Sequence, residues 1–139
     1  MSANKEIELG SDFKPKFGDD GLIPAISQDA ETGQILMVAF MNAEALELTI
    51  KTQNAVFYSR SRKKLWRKGE ESGHVQKVRQ ILVDCDQDCL ILKVKVDSGQ
   101  CHAGYQSCFY RALKQAGSKL EFIAEKVYDP EQAYKKDKK

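Results

Sequence analysis

The residues that could do chemistry concentrate between positions 84 and 108. Asp84, Asp86 and Asp88 stand at i, i+2 and i+4. In extended backbone, side chains two residues apart share a face, so three carboxylates would converge. Three like charges repel unless a hard cation joins them. Mg²⁺ suits such a set, because it takes oxygen ligands and keeps several waters. A solvated acidic turn is the alternative. An EF-hand is excluded: its sixth position requires Gly and holds Cys89, and its twelfth requires Glu and holds Lys95.

All four cysteines, at 85, 89, 101 and 108, lie in the same stretch. Cys85 falls between aspartates, so in extended geometry it faces away from them and belongs to a second site. Neither pair is CxxC, the knuckle spacing of structural zinc. Three thiolates and an open fourth position for water make a catalytic zinc pattern. Cys89 is then the bystander; inert buried cysteines are the alternative. The two histidines, His74 and His102, each lie in a polar segment with glycine. His102 directly follows Cys101, which makes it a candidate general acid or base, or a fourth ligand that would close the site. His74 is the second candidate for proton transfer.

A third dense stretch is basic. Arg60, Arg62, Lys63, Lys64, Arg67 and Lys68 surround Trp66. A solvated loop, a phosphate-monoester site and a nucleic-acid surface with Trp66 stacked on a base all fit. The formal net charge is only +2. A protein that binds nucleic acid through phosphate contacts is usually far more basic, so the small phosphorylated ligand is favoured. Arg60, Arg62, Lys63 and Lys68 are the candidate phosphate ligands.

The rest of the chain must position these groups. Its 139 residues, 42% hydrophobic and 30% charged, suit one globular domain with a core. No run of about 18 apolar residues is present to span a membrane. Residues 1–10 lack the apolar region of a secretory signal. Clustered thiols without export point to the reducing cytoplasm and to metal or catalytic use rather than disulfides.

Residues 1–21 read as a polar lead-in. Leu22–Ser27 and Ile35–Met41 read as a hairpin around the turn residues 29–33. Asn42 is an N-cap candidate for a helix over Ala43–Thr52. Strands are expected over Ala55–Ser59, Leu65–Lys68, Val75–Asp84 and Leu90–Val96, the last two paired as a hairpin. Asp129-Pro130 starts a short C-terminal helix, and 135–139 is a basic tail. About seven strands and two or three short helices define an α+β fold with a mainly antiparallel sheet.

Four ordered blocks then carry a resemblance. FYSRSRKKLWRKGEESGHVQ (57–76), DCDQD (84–88), CHAG (101–104) and SCF (107–109) together resemble the phosphoribosyl-AMP cyclohydrolase family. The similarity spans roughly residues 22–113. It implies hydrolysis of the N1–C6 bond of phosphoribosyl-AMP in histidine biosynthesis, by a cytoplasmic homodimer requiring zinc and magnesium. It implies zinc on Cys85, Cys101 and Cys108, with Cys85 from one protomer and the other two from its partner. It implies magnesium on Asp84, Asp86 and Asp88. The 25 or so residues after the match are too few for a fused second enzyme, so one function is expected. The chemistry agrees: an N1-substituted adenine is electrophilic at C6, and activated water could add there. Three competing classes are weaker, one of them a magnesium-binding interaction domain with inert cysteines. A zinc nucleobase deaminase would need an H-x-E and P-C-x-x-C signature, which is absent. A zinc-stabilised nucleic-acid-binding module would use the 60–68 stretch.

Overall fold

The computed structural model describes residues 2–70, 73–97 and 99–131. Its centre is a four-stranded sheet in the order β2-β1-β6-β5. β1 (Ile23–Asp29) and β2 (Ile35–Met41) form the expected hairpin. Its turn is closed by Asp29, whose carboxylate accepts from the Glu31 and Thr32 amides. Strict alternation of buried and partly buried residues along β1 and β6 (Leu90–Lys95) marks strands with one face on the core. β5 (Lys77–Val83) pairs antiparallel with β6 as expected. β1 and β6 run parallel, pairing Ile26 with Ile91. The fold is α+β with mainly antiparallel pairing, as the sequence indicated.

Helix α2 (Ala43–Thr52) begins where Asn42 accepts the Ala45 amide at 2.8 Å. That satisfies one of the helix's unpaired N-terminal donors. The helix ends at Gln53, whose left-handed φ of 62° lets its amide reach the Thr49 carbonyl. α2 lays Ala45, Leu46 and Thr49 onto the core. β3 (Val56–Ser59) and β4 (Lys64–Arg67) form a separate hairpin. Phe57, Ile23, Leu36, Met41, Leu90 and Leu92 are fully buried between these layers.

Two expectations need correction. Residues 1–21 are not a loose lead-in throughout, because Ser2–Leu9 form a helix, α1. A further hairpin, β7 (Arg111–Leu113) with β8 (Leu120–Phe122), was not expected. These strands have three residues each and lack a buried alternating face. Their position is set by an aromatic cluster: Tyr105 stacks on Tyr110 at 3.9 Å, and Phe122 packs at 6.0 Å from Tyr110. At the C-terminal end, Pro130 and Glu131 are helical, as Pro at a first turn allows. The remainder of that helix and the 135–139 tail lie outside the described residues.

Candidate active site

The acidic segment is the β5–β6 connection, and it is a turn rather than extended chain. The reason is local. Asp84 Oδ1 accepts the amides of Asp88 at 2.9 Å and Cys89 at 3.2 Å, and the Gln87 amide donates to the Asp84 carbonyl. Such self-capping by Asp competes with strand pairing. The expected one-face alignment of Asp84, Asp86 and Asp88 therefore does not form. Asp84 and Asp88 instead share a hydrogen bond. Slight burial acts to raise Asp84, but that bond and the loop amides hold it below the ordinary carboxylate range. The same shared bond pushes Asp88 up.

Cys85 is likewise not segregated from the aspartates. Its thiol lies 3.9 Å from Asp86 Oδ1, and that carboxylate pushes the exposed thiol up. Cys89 is half-buried beside the Leu90 carbonyl, and burial raises it.

Cys101 and Cys108 lie apart from that turn and next to each other. Cys101 is buried in a tight turn where the Ala103 amide donates to its sulfur at 3.4 Å and the Gly104 amide donates to its carbonyl. Gly104 has φ +97°, and a Cβ there would stand 2.7 Å from the Tyr128 carbonyl, so only glycine fits. The C-terminal segment closes over this turn. Val127 donates its amide to the Gly104 carbonyl, and the Tyr128 hydroxyl donates to the Cys101 carbonyl. Cys108 is anchored to β2, its amide donating to the Leu36 carbonyl while Ser107 Oγ donates to Ile35. Cys108 reaches the surface on one side. Burial on the other side and the neighbouring Cys101 push its thiol up to about 12, opposed by the Lys68 charge.

Lys68 lines the same hairpin cleft as other basic residues but is turned inward. It is only 8% exposed, and its ammonium donates to the Gln100 carbonyl at 2.9 Å. Burial holds its pKa below the ordinary value, and the thiols of Cys108 and Cys101 oppose that shift. A buried polar chain leads here from the sheet. Ser27 Oγ donates to Gln76 Oε1, and Gln76 Nε2 donates to Gln100 Oε1 at 3.0 Å. Sequence reasoning missed Ser27, Gln76 and Gln100. Polar residues fully buried in a small core are the signal, and burial is not legible from residue type alone.

The remaining basic residues face solvent on the β3–β4 hairpin. A cleft of about 340 Å³ is lined by Arg62, Lys64, Trp66, Arg67, Lys68 and Glu70 among others. Trp66 packs on Phe57 at 5.1 Å and also lines the cleft. Arg60 lies outside it, with its guanidinium 4.1 Å from the Phe40 ring centre. Lys63 sits at the hairpin turn with φ +55°. Lys64 and Arg67 were not singled out from the sequence. His102 is exposed on the Cys101 turn, whereas His74 is half-buried with its ring edge-on to Tyr128 at 4.6 Å.

Among the described residues, no three His, Cys, Asp or Glu side chains of one chain gather as a metal site. Two adjacent thiols, one accepting an N–H bond and both beside an ammonium, fit the soft-donor preference of zinc. They supply half of a four-coordinate set, so a complete site needs donors from elsewhere.

The class defined here is a small α+β domain that carries two adjacent thiols beside a basic cleft. The comparisons narrow that class. The family model described as Phosphoribosyl-AMP cyclohydrolase matches residues 37–110. A phosphoribosyl-AMP cyclohydrolase of Methanococcoides burtonii is 55% identical over 119 residues, covering 86% of this chain and 94% of that protein. One from Chlorobium limicola is 49% identical over 136 residues, covering 98% of each. One from Methanothermobacter thermautotrophicus is 49% identical over 134 residues, covering 96% and 97%. This chain belongs to the phosphoribosyl-AMP cyclohydrolase family and is a hydrolase.

Proposed function

We propose that the chain opens the adenine ring of phosphoribosyl-AMP in histidine biosynthesis. Water adds to C6, the N1–C6 bond breaks, C6 becomes the carboxamide and N1 takes a proton as the formimino nitrogen. The observation that carries this reading is the match to cyclohydrolases along nearly the whole chain. That match also favours an enzyme over a zinc-stabilised nucleic-acid-binding module.

Zinc held by Cys101 and Cys108, with Cys85 of a second copy, would lower the pKa of a water toward neutrality. Supporting this division, Cys101 and Cys108 adjoin, while Cys85 lies on the separate β5–β6 turn. A homodimer also accounts for apolar surface left uncovered by one chain. Leu113, Phe122 and Ile123 on and after the β7–β8 hairpin are each more than 60% exposed. Mg²⁺ on Asp84, Asp86 and Asp88 would offset their mutual repulsion.

His102 moves the protons, because it is exposed beside the thiols; His74 is the second candidate. Arg62, Lys64 and Arg67 hold a 5′-phosphate in the cleft, and Trp66 forms its apolar wall. Arg60 and Lys63 flank that cleft and steer the second phosphate. Lys68 is assigned to the thiols rather than to phosphate, since its ammonium is buried. No described helix is long and apolar enough to cross a membrane; the enzyme proposed is cytoplasmic and has no nucleic-acid partner.

The test is ring opening of phosphoribosyl-AMP, followed by ultraviolet absorbance before and after zinc chelation. Turnover lost on chelation and restored by zinc is expected. No turnover in zinc- and magnesium-replete protein would sink the assignment.

A further inference from the structure

Gln76 is an amide buried as completely as Phe57, Ile23 and Leu36 of the apolar core. Taking an amide out of water costs free energy unless its donors and acceptor find partners. Those of Gln76 do. Its Oε1 accepts from Ser27 Oγ on β1 at 2.6 Å. Its Nε2 donates to Met37 Sδ on β2 at 3.3 Å and to Gln100 Oε1 at 3.0 Å. Its backbone carbonyl accepts the Ala55 amide, just before β3, at 3.0 Å. One side chain thereby ties two strands of the central sheet to the residue that precedes Cys101.

The second thiol is tied to the same stretch of β2. The Cys108 amide donates to the carbonyl of Leu36, the neighbour of Met37, at 2.6 Å. β2 therefore holds Cys108 directly and holds Cys101 through Gln76 and Gln100. Bonds within the Cys101 loop, from the Gln100 amide to Gln106 and from the Cys101 amide to Tyr105, fix its shape but not its distance from β2. Lys68 and Tyr128 grip carbonyls of the same turn from other sides. Of these contacts, Gln76 is the one that leads to β1 and β2. A buried polar link adds little net stability over an apolar pair of the same shape, yet its direction specifies which groups meet.

We propose that Gln76 is a positioning residue: through Gln100 it fixes the Cys101 turn against β2, so that the thiols of Cys101 and Cys108 stay side by side to share one metal ion. The metal half of this statement rests on the zinc reading proposed above; the placement of the thiols does not. A side chain behind metal ligands acts on affinity without touching the metal.

Gln76→Met keeps the length of the side chain and removes its amide. Gln100→Met cuts the same link from the other end, leaves Gln76 its bonds to Ser27 and Met37, and serves if Gln76→Met does not fold. On zinc-free full-length protein, alkylation by iodoacetamide is followed at each cysteine by peptide mass spectrometry. On zinc-loaded protein, chelator competition measures zinc affinity. Cys101, only 2% exposed in the parent, should react about tenfold faster in either variant, while Cys89 on the 84–89 turn changes by less than about twofold. Zinc affinity should fall about tenfold in both. The two substitutions combined should do no more than one alone, because they break one link. A merely structural role would speed Cys101 and Cys89 together, and that result would overturn the proposal. Unchanged Cys101 alkylation, or unchanged zinc affinity, in both variants would overturn it too. A parent protein that binds no zinc would overturn the zinc reading instead, and the alkylation rates would then decide the placement of the thiols by themselves.

Discussion

The Lys68 ammonium donates to the carbonyl of Gln100, the residue immediately before Cys101. A buried cation is thereby held beside two thiols at the junction of the β3–β4 hairpin and the 101–108 loops. Removing it should weaken zinc binding. Lys68→Met is expected to lose about tenfold in zinc affinity by chelator competition, with a smaller change in thermal midpoint. The stability change stays small because Met removes the cost of burying the charge along with its bond.

The thiol pair makes the metal-free protein sensitive to alkali. Cys108 is raised from 9.0 to about 12, chiefly by burial, so the folded state holds that proton more tightly than the unfolded state does. The stabilisation is complete below pH 9 and disappears as pH rises from 9 toward 12. Chelator-treated protein should therefore lose thermal stability across that window. Alkylation of Cys108 at pH 8 should be slow, and slower still in Lys68→Met, which lacks the opposing charge.

A site divided between two chains predicts complementation. Cys85→Ala and Cys101→Ala should each be inactive alone. Mixed and allowed to exchange subunits, they should recover about one quarter of parental turnover, because half of random dimers are mixed and each holds one intact site. No recovery from proteins that form mixed dimers would mean the thiols do not act across the interface.

The phosphate site proposed for the cleft can be tested separately from chemistry. Arg62→Ala and Arg67→Ala remove exposed cations and should leave the melting curve unchanged. Each should raise KM for phosphoribosyl-AMP about tenfold or more, with a smaller effect on kcat, since a charge-assisted hydrogen bond contributes about 1.5–3 kcal/mol. An unchanged KM in both would place the phosphates elsewhere.

Gly104 tests the closure over the Cys101 turn. Gly104→Ala faces both the φ of +97° and the Tyr128 carbonyl at 2.7 Å. It should cost about 1–3 kcal/mol in denaturant unfolding. A neutral substitution would show that the 127–128 segment yields easily.

Much of this protein is legible in its sequence, for a physical reason. Period-two alternation in Leu90–Lys95, the Asn42 cap and the turn residues around Gly33 act over a few residues, so sequence order alone determined those elements. The four ordered blocks likewise determined the family and the residue types available for chemistry. Partners far apart in the chain were decided by tertiary structure. The turn at 84–88 follows from amides that Asp84 captures, which undoes the one-face reading of its carboxylates. Lys68 turned inward from its exposed basic neighbours because its ammonium meets the Gln100 carbonyl, 32 residues away. The segment after α1 gained a fixed place because Gln87 meets backbone groups of Ile7, Asp12, Lys14 and Lys16, which no local signal foretells. Local spacing sets the backbone period, but only chain packing sets which polar groups meet out of water, and there each meeting carries the most energy.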